Sequence, residues 1–278
     1  MGIQMIAMDL DGTALQADRK SFSPRLNAAL DAAHRQGVAV VPITGRQFFI
    51  LPPAVDPAAD WAGLAVLCNG GEVRRLSDGS LLSGHYLERD ALLSLVDAAE
   101  RLGLPIELSA NGGMYLTRES WDSQRRTDGP LRFHLSNVLE PFGREVEDLR
   151  TLLDDPFPVE KVNLPYVPDE VRAETERALN ALPISWFWSA PRGVEISHPD
   201  ASKANGLLEA CRFLNIDPAR TMALGDSGND IPMLKAAGWG VAMGSASAQV
   251  QAAADAVSAP YDQDGAALAI ERYVLKEK

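Results

Sequence analysis

The sequence contains little cysteine, no long apolar run and a deficit of positive charge. Only 2 of its 278 residues are cysteine, and both lie in apolar surroundings. We interpret them as buried thiols, because a disulfide framework usually needs more cysteines. No stretch of about 18 apolar residues is present, which argues against a transmembrane helix. The first residues lack the basic start and apolar core of a signal peptide, so we expect a cytoplasmic protein.

The charge balance argues against polyanionic partners. Lysine and arginine number 26 against 38 aspartates and glutamates, a net charge of −12. Such a protein repels nucleic acid backbones and anionic membranes, and we expect neither as a partner. It repels a phosphorylated metabolite as well, unless a metal cation or local positive charge reverses the field at the binding site.

The alternation of apolar strands and helices predicts an α/β fold built on a parallel sheet. This alternation is clear at both ends of the chain, whereas the middle has the character of a separate α+β unit. We therefore predict a core made of residues 1–80 and 191–278, with a domain at 81–190 inserted into it. The predicted strands cover residues 4–10, 38–43, 65–68, 221–224 and 241–243, and the predicted helices cover 24–36, 89–102, 169–182, 203–214, 230–237 and 265–275.

Two acidic residues follow the first predicted strand, in Asp9-Leu10-Asp11-Gly12-Thr13. Ligands of an open parallel sheet bind beyond the carboxyl ends of its strands, so this loop is a candidate site. One carboxylate could attack an electrophile while the other transfers protons, and a divalent cation between them would reduce their repulsion. A solvated turn is the alternative, because Asp and Gly are common turn residues.

Three other segments carry polar groups at comparable places. Thr44-Gly45-Arg46 offers a hydroxyl and backbone N–H groups to a phosphate oxygen, with the Arg46 side chain expected to point to solvent or to the inserted domain. Lys203, near a helix start, is a surface residue by default and a phosphate-binding cation in this context. Gly225-Asp226-Ser227-Gly228-Asn229-Asp230 is rich in the oxygen ligands that Mg²⁺ prefers. For His198 we predict a turn histidine without a catalytic role.

The four segments together resemble the haloacid dehalogenase-like superfamily, and within it the Cof-type sugar-phosphatase-like subfamily. DLDGT, ITGR, the single lysine and GDSGND occur in the expected order, and the LCNGG turn agrees as well. The resemblance implies a Rossmann-like core with an inserted α+β cap domain. It also implies a Mg²⁺-dependent phosphatase that hydrolyses small phosphorylated metabolites, such as sugar phosphates, through an aspartyl-phosphate intermediate.

The resemblance further implies individual roles. Asp9 would be the nucleophile, and Asp11 would protonate the leaving oxygen and then activate water. The phosphate or substrate would be bound by Gly12, Thr44, Gly45, Lys203, Asn229 and Asn69. Mg²⁺ would be held by Asp9, Asp11 through its carbonyl, Asp226, and Asp230 directly or through water.

Two alternative functions stay open at this point. One is a phosphosugar mutase, and the other is a catalytically inactive phosphometabolite-binding protein. The aspartates at positions 9 and 11 argue against the second. The expected partner is a small phosphorylated metabolite, and the chain is expected to be a monomer or a small homo-oligomer.

Overall fold

The chain folds into two compact units. The computed structural model describes residues 2–125, 132, 134–154 and 156–275. The first unit contains Met1–Arg46, Leu51–Gly84 and Ala201–Lys278, and the second contains Gln47–Ile50 and His85–Asp200. The predicted domain boundaries fall after residues 80 and 190, whereas the units divide after residues 84 and 200.

Fourteen strands and nine α-helices follow one another along the described part of the chain. The strands are β1 Met5–Met8, β2 Ala39–Pro42, β3 Leu64–Leu67, β4 Glu72–Arg75, β5 Leu81–Gly84, β6 Glu107–Ala110, β7 Gly113–Thr117, β8 Gly143–Val146, β9 Lys161–Leu164, β10 Ser185–Ala190, β11 Gly193–Ser197, β12 Thr221–Gly225, β13 Trp239–Ala242 and β14 Ala256–Val257. The α-helices are α1 Pro24–Arg35, α2 Arg89–Leu102, α3 Arg118–Arg125, α4 Glu140–Phe142, α5 Arg172–Asn180, α6 Lys203–Leu214, α7 Ile231–Ala236, α8 Ala248–Ala253 and α9 Gly265–Ile270.

The first unit is built on a five-stranded sheet in the order β14-β13-β12-β1-β2. All of its strand pairs are parallel, which confirms the predicted fold class. The central strand β1 is buried at every position, as expected for a continuous apolar run covered on both faces. A separate antiparallel sheet, β3-β4-β5, completes the strands of this unit.

Local capping explains why two helices of the first unit begin where they do. The Ser23 hydroxyl accepts a hydrogen bond from the backbone N–H of Leu26, and Pro24 occupies the first helical position of α1. The Ser202 hydroxyl caps α6 in the same way, through the N–H of Asn205. This second cap makes Lys203 the first residue of α6, which determines where its long side chain begins.

The second unit contains a six-stranded mixed sheet in the order β10-β11-β9-β6-β7-β8. Helix α2 buries Leu92, Leu95, Val96 and Ala99, a stripe at helical spacing that joins the apolar cluster of this unit. Strand β11 pairs with both β9 and β10, so Gly193–Ser197, which we assigned to the core, belong to this sheet.

Two other predictions can be compared with the structure. Cys68 and Cys211 are buried free thiols, as predicted. None of the helices in the described part of the chain combines the length and hydropathy that a bilayer crossing requires.

Candidate active site

The predicted site residues of the first unit lie beyond the carboxyl ends of neighbouring parallel strands. Asp9 follows β1 directly, and Asp226 follows β12, which pairs with β1. Thr44 lies two residues beyond β2, the other neighbour of β1. Because parallel strands end at the same sheet edge, residues that are far apart in sequence meet there.

Lys203 lies between two carboxylates. Its Nζ donates to Oδ1 of Asp9 and to Oδ1 of Asp230, each at 2.6 Å. The side chains are almost completely buried, with exposures of 2% for Lys203, 7% for Asp9 and 0% for Asp230. Buried charges are stable only when they are paired and hydrogen-bonded, so these three groups depend on one another.

The second oxygen of Asp230 organises the loop after β12. Its Oδ2 accepts hydrogen bonds from the backbone N–H groups of Asp226 at 3.0 Å and Ser227 at 2.9 Å. Both oxygens of Asp230 are therefore engaged, one by the lysine and one by the loop. This arrangement gives Asp230 a positioning function that the sequence pattern did not reveal.

Asp226 is held by hydroxyl groups from two loops. Thr13 Oγ1 donates to its Oδ1 at 2.9 Å, and Ser227 Oγ donates to its Oδ2 at 3.0 Å. Gly12 allows the first loop to approach this closely, because a Cβ on it would lie 2.6 Å from Asp226 Oδ2. Its φ of 82° also lies in the left-handed region that favours glycine.

The electrostatics of this cluster are unbalanced. Burial raises the pKa of Asp9 well above its usual range, Lys203 opposes the shift, and the charges of Asp230 and Asp226 add to it. Burial and the Asp230 charge also raise the pKa of Asp226. Burial alone would lower the pKa of Lys203, but the charges of Asp230 and Asp9 outweigh it and raise that pKa. The carboxylates thus carry more negative charge than one lysine neutralises.

The acids fit a divalent cation. Asp9, Asp226 and Asp230 each offer one carboxylate oxygen, and these atoms lie within 4.8 Å of one another. A donor set made of oxygen alone suits Mg²⁺, and a divalent charge would offset the burial and the repulsion that raise the two pKa values. The described residues at this sheet edge therefore meet the chemical requirements of a magnesium site.

Asp11 is engaged elsewhere, by Arg46. The guanidinium donates from Nε to Oδ2 and from Nη2 to Oδ1 of Asp11, both at 2.7 Å, and Nη2 also reaches the carbonyl of Arg19 at 3.1 Å. The Arg46 side chain is only 16% exposed, so our expectation that it points to solvent or to the inserted domain was wrong. Its position beside Thr44 in the loop after β2 was the signal that could have identified it.

Thr44 and Asn69 are buried beside these groups. Thr44 Oγ1 accepts a hydrogen bond from the backbone N–H of Arg46 at 3.2 Å, so its own proton is available to donate. Asn69 has a left-handed backbone, and its Oδ1 accepts from Asn229 Nδ2 at 3.1 Å, which links the loops after β3 and β12. Gly45 packs against the Asn69 amide, where a Cβ would lie 2.9 Å from Asn69 Oδ1.

The family profile of haloacid dehalogenase-like hydrolases matches residues 6–270. The chain belongs to the haloacid dehalogenase-like hydrolases. The predicted resemblance and the prediction of a hydrolase are thereby confirmed. The match runs through the second unit as well as the first, so the family assignment covers almost the whole chain.

Two curated relatives and one solved structure are similar to this chain over nearly their full length. The putative phosphatase YxeH of Bacillus subtilis is 28% identical, with 98% of each chain covered. The 5-amino-6-(5-phospho-D-ribitylamino)uracil phosphatase YbjI of Escherichia coli is 29% identical over 100% of this chain and 98% of its own. The structure of a haloacid dehalogenase-like hydrolase from B. subtilis has a TM-score of 0.82 at 26% identity, covering 98% of this chain and 100% of that one.

Proposed function

We propose that this hydrolase is a Mg²⁺-dependent phosphatase that releases phosphate from small phosphorylated metabolites, with Asp9 as the nucleophile. The observation that carries the proposal is the hydrogen bond from buried Lys203 to Asp9 Oδ1, which orients the carboxylate and leaves Oδ2 for attack on phosphorus. Phosphoryl transfer mostly requires alignment and neutralisation of charge, and this cluster is built for both.

The first step would form an acyl phosphate on Asp9. An oxygen of Asp9 attacks phosphorus, the ester bond to the leaving group breaks, and the leaving oxygen takes a proton from the acid form of Asp11. Water then attacks the same phosphorus while the Asp11 carboxylate accepts its proton. Inorganic phosphate departs, and both aspartates return to their starting states.

Binding of the phosphate would rely on the loops after β1 and β2. The Thr44 hydroxyl can donate its proton to a phosphate oxygen, because Thr44 Oγ1 acts as the acceptor in its hydrogen bond with the Arg46 N–H. Backbone amides near Gly12 and Gly45 would add donors, and Lys203 would contribute positive charge. Asn229 and Asn69 would hold the neighbouring loops in place through their mutual hydrogen bond.

Magnesium would be held by Asp9 and Asp226, by the Asp11 carbonyl, and by Asp230 through water. One Asp230 oxygen is already paired with the Lys203 ammonium, and the other accepts two backbone N–H groups. When bound, it supplies positive charge that stabilises the transferring phosphoryl group. The protein residues perform the attack, the proton transfers and the orientation of the phosphate.

The substrates we propose are phosphorylated sugars and related polyol phosphates. The relative YbjI, named for a phosphoribityl compound, supports this class because it is similar over its full length. We also expect the enzyme to act in the cytoplasm, as a monomer or a small homo-oligomer.

The test measures phosphate release from sugar phosphates, nucleotides and 5-amino-6-(5-phospho-D-ribitylamino)uracil, with Mg²⁺ or with EDTA. We expect turnover only with Mg²⁺, and a loss of at least about 10⁴-fold in Asp9→Asn. Asp31→Asn is the matched control, because Asp31 is an exposed aspartate on α1.

Three outcomes would contradict the proposal. Folded wild-type protein that releases no phosphate from any compound with Mg²⁺ present would favour a binding protein. Release that requires a bisphosphate activator would favour a mutase. Release by Asp9→Asn at the wild-type rate would exclude Asp9 as the nucleophile.

A further inference from the structure

A second cluster of metal-binding side chains lies in the second unit. The chain has four histidines, and two of them, His85 and His198, stack with their ring centroids 5.5 Å apart and their planes at 27°. Asp200 lies beside them. Each of the three offers one ligand atom, and these atoms lie within 4.8 Å of one another.

We propose that His85, His198 and Asp200 bind a divalent transition metal ion of the Zn²⁺ class. Two imidazole nitrogens and one carboxylate oxygen suit Zn²⁺, whereas Mg²⁺ prefers oxygen ligands alone. Three protein ligands leave the fourth tetrahedral position for water. The donor chemistry thus separates this site from the acid cluster of the first unit.

The geometry around His198 supports this site. Its Nδ1 accepts a hydrogen bond from the backbone N–H of Asp200 at 3.1 Å, so this nitrogen presents a lone pair toward Asp200. The same Nδ1 lies 3.8 Å from Asp200 Oδ2. Two ligands of a tetrahedral zinc ion, with bonds of about 2.0–2.2 Å, lie about 3.4 Å apart.

The His198–Asp200 pair can therefore close around a metal with a small movement. The Asp200 side chain is 70% exposed, so rotation at the surface can bring its oxygen the remaining few tenths of an ångström toward His198. The metal would then take the Nδ1 lone pair in place of the Asp200 N–H. The N–H group lies at an exposed position, where water can replace the lost acceptor.

The position of the site in the chain gives the metal a structural consequence. His85 is the first residue of the second unit after Gly84, and Asp200 is its last residue before Ala201. A metal held by both would join the two ends of His85–Asp200, the longer of the two segments that make up the second unit. Because a ligand that binds only the folded form stabilises it, zinc should raise the unfolding temperature.

The test is calorimetric titration of the full-length protein with Zn²⁺ in an excess of Mg²⁺, which occupies the acid cluster. We expect one Zn²⁺ per chain with a dissociation constant in the micromolar range. His85→Gln and His198→Gln should each weaken binding at least about tenfold. His34→Gln, at an exposed position on α1, is the matched control and should bind like the wild type.

Thermal unfolding provides a second readout. At Zn²⁺ concentrations of about 100 times the dissociation constant, the unfolding temperature of the wild type should rise by about 5 °C. The unfolding temperature of the double variant His85→Gln/His198→Gln should not change. All variants are first compared with the wild type in EDTA. If a histidine variant does not fold, Asp200→Asn replaces it, because this exposed, isosteric change should also weaken binding.

Absence of Zn²⁺ binding in excess Mg²⁺ would overturn the proposal. So would binding that His85→Gln, His198→Gln and Asp200→Asn all leave unchanged, since the zinc would then be held elsewhere. Equal weakening by His34→Gln would point to nonspecific surface binding and would overturn it too. None of these measurements depends on phosphatase activity, so the two proposals succeed or fail separately.

Discussion

Asp9 in the first unit and Glu107 in the second are both buried carboxylates, but their surroundings differ. Asp9 shares one lysine with Asp230, and Asp226 lies in the same cluster. Glu107 is paired with one histidine, since His134 Nε2 lies 3.0 Å from each of its carboxylate oxygens. Two side-chain amides complete its hydrogen bonds: Gln124 Nε2 donates to Oε1 at 2.7 Å, and Asn163 Nδ2 donates to Oε2 at 3.0 Å.

The pKa shifts follow this difference. Burial would raise the pKa of Glu107, yet the His134 charge and the hydrogen bonds from its three neighbours lower it. At Asp9 burial and like charges prevail, and the pKa is raised. A buried carboxylate whose hydrogen bonds are all made contributes to the stability of the fold. A buried carboxylate that lies next to other negative charges favours the binding of a cation or a substrate.

Among the variants of this comparison, the largest expected effect is a loss of activity in the first unit, together with a loss of stability because Asp9 and Asp230 stay buried without their cation. Lys203→Met removes the cation that orients Asp9 and that, in the proposed mechanism, binds phosphate, so phosphate release should fall about 10³-fold. Steady-state kinetics with Mg²⁺ measure the change. Lys235→Met, an exposed lysine on α7, is the matched control and should keep the wild-type rate. Equal activity of Lys203→Met and the wild type would show that the Asp9 cluster does not need Lys203 for activity, which contradicts the comparison with Glu107.

Glu107→Gln tests the other side of the comparison. It leaves His134 buried without its carboxylate, so the free energy of unfolding should fall by about 3 kcal/mol. Urea denaturation measures the loss, and Glu119→Gln, at an exposed position on α3, is the control. The folded fraction should keep its turnover. A variant as stable as the wild type would show that the Glu107 cluster does not stabilise the second unit.

Arg46→Lys tests whether a carboxylate of the first unit can also depend on a single dedicated charged partner, as Glu107 does in the second unit. Asp11 is a first-unit carboxylate that has a full partner, the two-point contact with Arg46. Lysine cannot reproduce that fork, so kcat should fall about tenfold with little change in KM. Arg35→Lys, on the exposed side of α1, is the control. An unchanged kcat would show that Asp11 needs no fixed orientation.

The smallest effect is a pH dependence of stability in the second unit. Burial lowers the pKa of His134, but the charge of Glu107 and its hydrogen bond outweigh this and raise it, with Lys161 opposing and Glu195 adding. The contribution of His134 to the free energy of unfolding is therefore fully present below about pH 6.5. It disappears as the pH rises through the pKa that His134 has in the folded protein. The Glu107 contribution is present above about pH 4.5 and disappears below it, as the pH falls through its lowered folded pKa.

The pair should thus stabilise most in mildly acidic solution. The difference in unfolding free energy between wild type and His134→Gln should shrink by about 1 kcal/mol from pH 6 to pH 9. Urea denaturation at a series of pH values measures it. Parallel curves for the two proteins would show that His134 carries the same charge in both folded and unfolded states.

Local signals predicted much of this molecule. Helices α2 and α6 begin and end at the predicted residues, because Gly103 ends the one in a left-handed conformation and Ser202 caps the other. The predicted helix over residues 169–182 is instead a 3-10 turn over Asp169–Val171 followed by α5. Sequence periodicity does not resolve such a change, since both forms place apolar residues three apart.

Contacts between distant residues were not predictable. Glu107, Gln124, His134 and Asn163 form one cluster from four separate segments, and no spacing rule connects them. The segment after residue 190 was assigned to the core because its hairpin partner was not identified. Pro191, which lies between β10 and β11, and Gly193, the first residue of β11, were the available turn signal.

The stacked rings of His85 and His198 also mean that the long segment of the second unit, His85–Asp200, begins and ends at adjacent points. The strands that carry the acidic loops at the sheet edge come from both sides of this insertion, since β1 pairs with β2 before it and with β12 after it. An insertion whose two ends lie close together can be replaced without disturbing the fold that surrounds it. Residues 85–200 could therefore be exchanged as one piece during evolution, while the strand order of the parallel sheet and its acidic loops are kept.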